Sequence, residues 1–198
     1  HFKGTDRGHQ INSRALENHI LYNRIEDIAN GNSSRLVDLS NCGLSYIVGN
    51  DMQQSSTSLN LNAIGYGPEG CEGRSARQHR LFVVNNTFVN EAMNSTLVRN
   101  HVSGDALVAN NLVFGRTDFL QGKGIQQNNV AIDLSLRIPG SWDAPPGSAA
   151  IDTAQAVFDD DGAPIVPDRE FNPPLGTVAR TLSNAPDIGS REVLQNTA

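Results

Sequence analysis

The sequence predicts an all-β chain wound as a parallel β-helix, a solenoid of roughly five coils with an asparagine ladder and an irregular C-terminal cap. Three observations carry this reading. Five segments share one pattern: alternating apolar residues, then Asn, then another apolar residue. A second strand-like segment precedes each of the first four. Over most of the chain no amphipathic helical period runs between them.

Taken in order, the Asn-bearing segments are HILYNRI, YIVGNDM, LFVVNNTFV, ALVANNLVF and GIQQNNVAI. Their shared asparagines are Asn23, Asn50, Asn86, Asn111 and Asn129, separated by 27, 36, 25 and 18 residues. The partner segments are HQINSRA, SRLVDLSN, LNAIGYG and STLVRNHV. The repeating unit therefore reads as strand, turn, strand and a loop of variable length. Asn is a poor strand former, and burying its amide is costly without hydrogen bonds. Stacking removes the difficulty. Coils of a parallel solenoid lie ~4.8 Å apart, so equivalent asparagines sit above one another and satisfy each other's amides. The alternation around them directs Leu81, Val83, Phe88, Leu107 and Val113 inward. A β-sandwich would instead carry Asn-Gly or Asp-Gly hairpins, whereas these Asn pairs run on into more strand pattern.

The coils occupy residues 1–136 and a Pro/Gly-rich wrap occupies 137–198, beginning IPGSWDAPPGS. Solenoids need covered ends, so the wrap is expected over the last coil. The first coil has no equivalent cover. The expectation is that this chain is the C-terminal part of a longer helix, with coils before His1 or a partner chain over that end.

Charged residues make up 18% of the 198 residues and the net charge is −6, with Lys3 and Lys123 the only lysines. That balance excludes a nucleic-acid partner, which wants clustered cations. No apolar run is long enough to span a membrane. Cys42 and Cys71 are 29 residues apart, about one coil, and each lies near a Gly turn. Stacked neighbours suit disulfide geometry, so a bridge between adjacent coils is expected, two free thiols being the alternative.

Together GHQINSRA, YNRIED, SSRLVDLSNCG, YIVGNDMQQ, IGYGPEG and VVNNTFVN resemble bacterial right-handed parallel β-helix repeat proteins, fold-level relatives of pectate-lyase-like polysaccharide enzymes. The tail, GSAAIDTA, VPDREFNPP, ARTL and PDIGSRE, resembles the C-terminal segment of secreted and surface β-helix proteins. Ser190 stands where that segment usually has Ala, and Arg191 precedes Glu192. Members have further N-terminal coils, and many have Lys where this chain has Asn12. The resemblance implies a right-handed helix in a bacterial protein that is secreted or held at the cell surface. It is specific for fold and does not fix activity.

A polysaccharide lyase of this fold needs a cation, Arg or Ca²⁺, against a uronate carboxylate, and a base for the adjacent proton. In this chain Arg14 is the candidate carboxylate binder, Tyr66 or His101 the candidate base, and Asp38 with Glu69 the candidate Ca²⁺ ligands. Arg99 joins Arg14, Asp38 and Glu69 as a candidate substrate contact. The plainer account is a solvated column of charges along a sheet face. His9, His19 and His79 lack metal-ligand spacing. The run Asp159 to Gly162 lacks the spaced ligands of a Ca²⁺ loop and reads as an acidic turn. No cofactor is implied apart from Ca²⁺ in the lyase case. The expected role is an exported carbohydrate-binding or structural β-helix. The alternatives are a lyase acting by β-elimination on an acidic glycan, and a self-assembling surface module.

Overall fold

A computed structural model describes residues 1–194. The described residues are all-β apart from two 3₁₀ turns at Ala76–His79 and Leu134–Leu136. Its strands are β1 (Phe2–Lys3), β2 (His9–Ser13), β3 (Glu17–Leu21), β4 (Arg24–Glu26), β5 (Arg35–Leu39), β6 (Leu44–Val48), β7 (Asp51–Gln54), β8 (Asn62–Tyr66), β9 (Leu81–Val84), β10 (Thr87–Asn90), β11 (Ser95–Asn100), β12 (Ala106–Ala109), β13 (Leu112–Phe114), β14 (Thr117–Gln121), β15 (Gly124–Gln127), β16 (Val130–Ile132), β17 (Arg169–Asn172) and β18 (Gly176–Ala179). Three parallel sheets take every third strand in sequence order. Sheet I is β1-β4-β7-β10-β13-β16, sheet II is β2-β5-β8-β11-β14, and sheet III is β3-β6-β9-β12-β15. The remaining pair, β17 and β18, is an antiparallel hairpin.

Each repeat thus carries three strands where the sequence reads as two. The reason is visible in Leu81–Asn90. Its first four residues are β9 in sheet III and its last four are β10 in sheet I, with only Asn85 and Asn86 between. Asn85 turns the chain by adopting φ 52°, in the left-handed region that Asn tolerates. Tyr22, Gly49, Asn110 and Asn128 hold the same place in the other repeats, with φ between 50° and 66°.

Asn86 follows the bend and belongs to a ladder that runs the length of the stack. The backbone N–H groups of Asn23, Asn50, Asn86 and Asn111 each donate to the Oδ1 of the next asparagine at 2.8–3.0 Å, ending on Asn129. Side-chain amides reach back to main-chain carbonyls of the preceding repeat: Asn50 to Ile20, Asn86 to Ile47, Asn111 to Val83 and Asn129 to Val108. The ladder is unbroken across the 36-residue repeat.

The core lies between the three sheets in register rows. Ile25, Met52, Phe88 and Val113 make one in sheet I. Ile11, Val37, Ile64, Val98 and Leu120 make one in sheet II. Ile20, Ile47, Val83 and Val108 make one in sheet III. In-register stacking of like residues around one shared core is solenoid-like. Leu107 corrects the sequence-based expectation. It shares a row with His19, Tyr46, Phe82 and Ile125 on the other side of sheet III and packs against a separate cluster containing Val157 and Ile165.

The expectation for the tail was a cover over the last coil. It lies along two outer flanks of the stack, and on one of them Val130 and Ile132 of the last coil pack with it. Trp142, Ala144, Ala150 and Ile188 pack on Val89, Leu112 and Phe114 of sheet I. Val157 and Ile165 pack on Val48, Phe82, Val84 and Ala109 of sheet III. The tail reaches back toward the first repeats, where the Tyr22 hydroxyl donates to Asp168 at 2.7 Å and Ser190 Oγ donates to Asp51 at 2.6 Å. In the last strand of sheet III, Ile125 stays 59% exposed. The flanks, not the end, hold the apolar outward residues, so that is where an apolar tail gains burial.

Candidate functional site

The candidate column on sheet II is built around one register row, Asn12, Asp38, Gly65, Arg99 and Gln121. Gly65 makes room for its neighbours. A Cβ there would lie 2.6 Å from Arg35 Nε and 2.9 Å from Asp38 Oδ1. Across that gap Arg35 Nη1 pairs with Asp38 Oδ1 at 2.6 Å, and Ser40 Oγ donates to Asp38 Oδ2 at 2.5 Å. His9 Nε2 stands 3.9 Å from the same carboxylate. Arg99 donates to Gln121 Oε1 at 2.6 Å. His101 follows Asn100 at the end of β11, and its backbone N–H donates to Tyr66 O. Burial lowers the pKa of its imidazole, the guanidiniums of Arg35 and Arg99 lower it further, and Asp38 opposes them. His101 is therefore neutral at neutral pH.

The other candidates do not gather there. Tyr66 is fully buried in the core, and its hydroxyl donates to Gly43 O at 2.9 Å. Burial drives its pKa up, so as a solvent-facing base Tyr66 is corrected to a core residue. Arg14 and Glu69 form an exposed two-pronged ion pair, Nη2 to Oε1 at 2.7 Å, and Arg14 also donates to Asn41 Oδ1. That pair lowers the Glu69 pKa. Asp38 is held by Arg35 and Glu69 by Arg14, whose guanidinium also feels the charge of Asp38. Cys42 and Cys71 are disulfide-bonded, with Cα atoms 5.4 Å apart, and tie the turn after β5 to the long loop after β8.

A second constellation lies in the tail. Asp152, Asp187 and Glu192 are the one group of three carboxylates, among the described residues, close enough to share a cation. Their geometry is that of a clasp. Arg180 Nε pairs with Glu192 Oε2 at 3.0 Å, the two side chains being 1% and 2% exposed. The same guanidinium donates to the carbonyls of Asp187 and Gly189. Asp187 accepts from the backbone N–H of Asp152 and Val193 at 2.6 and 2.7 Å. The residues from AID, ART, DIG and SRE thus meet at one buried point and close the tail on itself. The asparagines at the bends fasten it. Asn85 Nδ2 donates to Asp187 O, Asn110 Nδ2 to Gln155 O and Asn128 Nδ2 to Thr153 O.

The largest feature that sequence reasoning missed is on sheet III. The His19 and Tyr46 rings stack at 5.0 Å and 16°, and the Tyr46 and Phe82 rings at 5.1 Å and 11°. The Arg80 guanidinium lies 5.0 Å over Phe82. Each ring stands four residues before a ladder asparagine, so aligning the repeats on Asn23, Asn50 and Asn86 could have found the row. Beside it the segment around Asp159–Val166 borders an open groove of about 460 Å³. Leu44, Tyr46 and Val48 form its floor, and Glu17, Arg77, Asp159 and Asp161 line it as well. Asp159 shapes the turn by accepting the N–H of Asp161 and of Ala163. Arg77 pairs with Asp161 and Arg80 with Asp160, anchoring the turn to the segment before β9. Burial, then Asp159, Glu17 and Asp161 in turn, raises the Tyr46 pKa to about 12, which keeps the phenol protonated.

No family model, curated protein or solved structure matches this chain.

Proposed function

We propose that the chain is a right-handed parallel β-helix of an exported bacterial protein, secreted or held at the cell surface, and that it binds polysaccharide along the outer face of sheet III. The observation that carries this reading is the groove beside the ring row. It combines an apolar floor with convergent polar groups, the pattern of ligand sites in general. It is open to solvent, which suits a polymer better than a small enclosed ligand. A stack of paired strands supplies a rigid platform, so little ordering is lost on binding. The test is retention on a panel of insoluble and soluble polysaccharides, with Tyr46→Ala as the variant and thermal melting as the folding control. Binding by the parent chain and its loss in a folded Tyr46→Ala support the reading. No binding to any member of the panel would remove it.

A second reading rests on His101. A neutral imidazole beside Arg35 and Arg99 has the ingredients of β-elimination. His101 would take the proton next to a uronate carboxylate while the guanidiniums hold that carboxylate. The C–O bond to the leaving sugar would then break, its electrons going to that oxygen, which takes up a proton. Ultraviolet absorbance of the unsaturated uronate would report it. A trace that stays flat with pectate, alginate and hyaluronan would discard the lyase for those glycans.

A further inference from the structure

The lining of the sheet III groove is strongly unbalanced. Three carboxylates, Glu17, Asp159 and Asp161, face one guanidinium, Arg77, and no lysine lines it. Glu17 and Asp161 are largely exposed, so a ligand can reach them. Asp159 Oδ2 accepts from the Tyr46 hydroxyl at 3.3 Å, which ties one carboxylate to the floor. Glu17 Oε1 lies 2.6 Å from His19 Nε2 at the other side. The negative potential is felt at the centre, because the same three carboxylates all disfavour ionisation of Tyr46. A uronate entering here meets like charge, and a neutral sugar brings nothing to offset the excess of negative charge. A sugar bearing an ammonium group matches them in charge and in hydrogen-bond donors.

We infer that this groove selects glycans that carry free amino groups, such as runs of glucosamine. The inference rests on the reading that the groove binds polysaccharide, and it adds the class of sugar.

The experiment is calorimetric titration of the folded chain with four oligomers of equal length: glucosamine, N-acetylglucosamine, glucose and galacturonate. A lysine-rich peptide of matched charge is the fifth probe. The expected result is that the glucosamine oligomer binds at least about ten-fold more tightly than its acetylated counterpart, with the advantage shrinking as salt is raised. Both carboxylates of the variant Glu17→Gln/Asp161→Asn are at the surface, so it is expected to fold. It should bring the two oligomers to within about two-fold of one another. Tighter binding of the acetylated, neutral or uronate oligomer would overturn the amine preference and leave polysaccharide binding standing. An amine preference that persists in the double variant would overturn the assignment to this groove. Equal or tighter binding of the peptide would make it a site for basic protein segments. Silence from every oligomer would sink both the inference and the reading beneath it.

Discussion

At three of the five bends two adjacent asparagines do different work. The first, as in Asn85 and Asn110, adopts a left-handed φ and turns its amide outward to hold the tail. The second, as in Asn86 and Asn111, turns inward and joins the ladder. The inner role is legible in the sequence, because an apolar neighbourhood leaves a repeated Asn no partner except its own equivalents. The outer role is not, since its partners in the tail lie 25 to 104 residues away and share no repeat with it. Asn86→Ala should be among the most damaging single changes. It removes the acceptor used by both the N–H and the Nδ2 of Asn50, all of it buried. A loss of about 2–4 kcal/mol is expected from urea unfolding. Asn23→Ala, at the half-exposed end of the ladder, should cost less than half as much. Equal losses would show that the ladder is not what stabilises the bend.

At the level of elements, alternation reports which residues share a face but not which face is the core. That is why Leu107 was placed inward while Ala106 and Val108 occupy the core. It is also why three strands were read as two, since alternation continues through the bend at Asn85 and Asn86. The polar strip illustrates a similar limit. Asp38, Arg99 and His101 are brought near each other by register, but Arg14 with Glu69 forms a separate surface pair and Tyr66 is internal. The disulfide acts on an element as well. It fixes the loop that makes one repeat longer than the others, and closing a 29-residue loop is worth about 3.6 kcal/mol. Cys42→Ser/Cys71→Ser should lower the urea midpoint accordingly. It should also make the segment from Gly67 to Arg80 the first site of proteolysis. An unchanged midpoint would mean that the stacked strands hold the loop unaided.

For the molecule as a whole, protection should follow position in the stack. Strands β7 to β13 have neighbours on both sides and the tail packs across β9, β10, β12 and β13, whereas β1, β2, β3, β14, β15 and β16 are edges of their sheets. Native-state hydrogen exchange should therefore be slowest in the middle repeats and faster toward both ends. A uniform profile would mean that the chain opens only as one unit. The tail adds a pH-sensitive component. Burial raises the pKa values of Glu170 and Glu192 in the fold. The stability that these two groups contribute is thus fully present below the ordinary carboxylate range and is lost as pH rises through their raised values.

By itself the sequence determined the class of fold and the axis of repetition. Both follow from local periodicity and from the need of each buried Asn for a copy of itself one repeat away. Only the tertiary structure decided what gathers on each outer face. The ring row and the carboxylate-lined groove unite Glu17 and Tyr46 with Asp159, more than a hundred residues away, and no local pattern encodes where a tail without periodicity comes to rest.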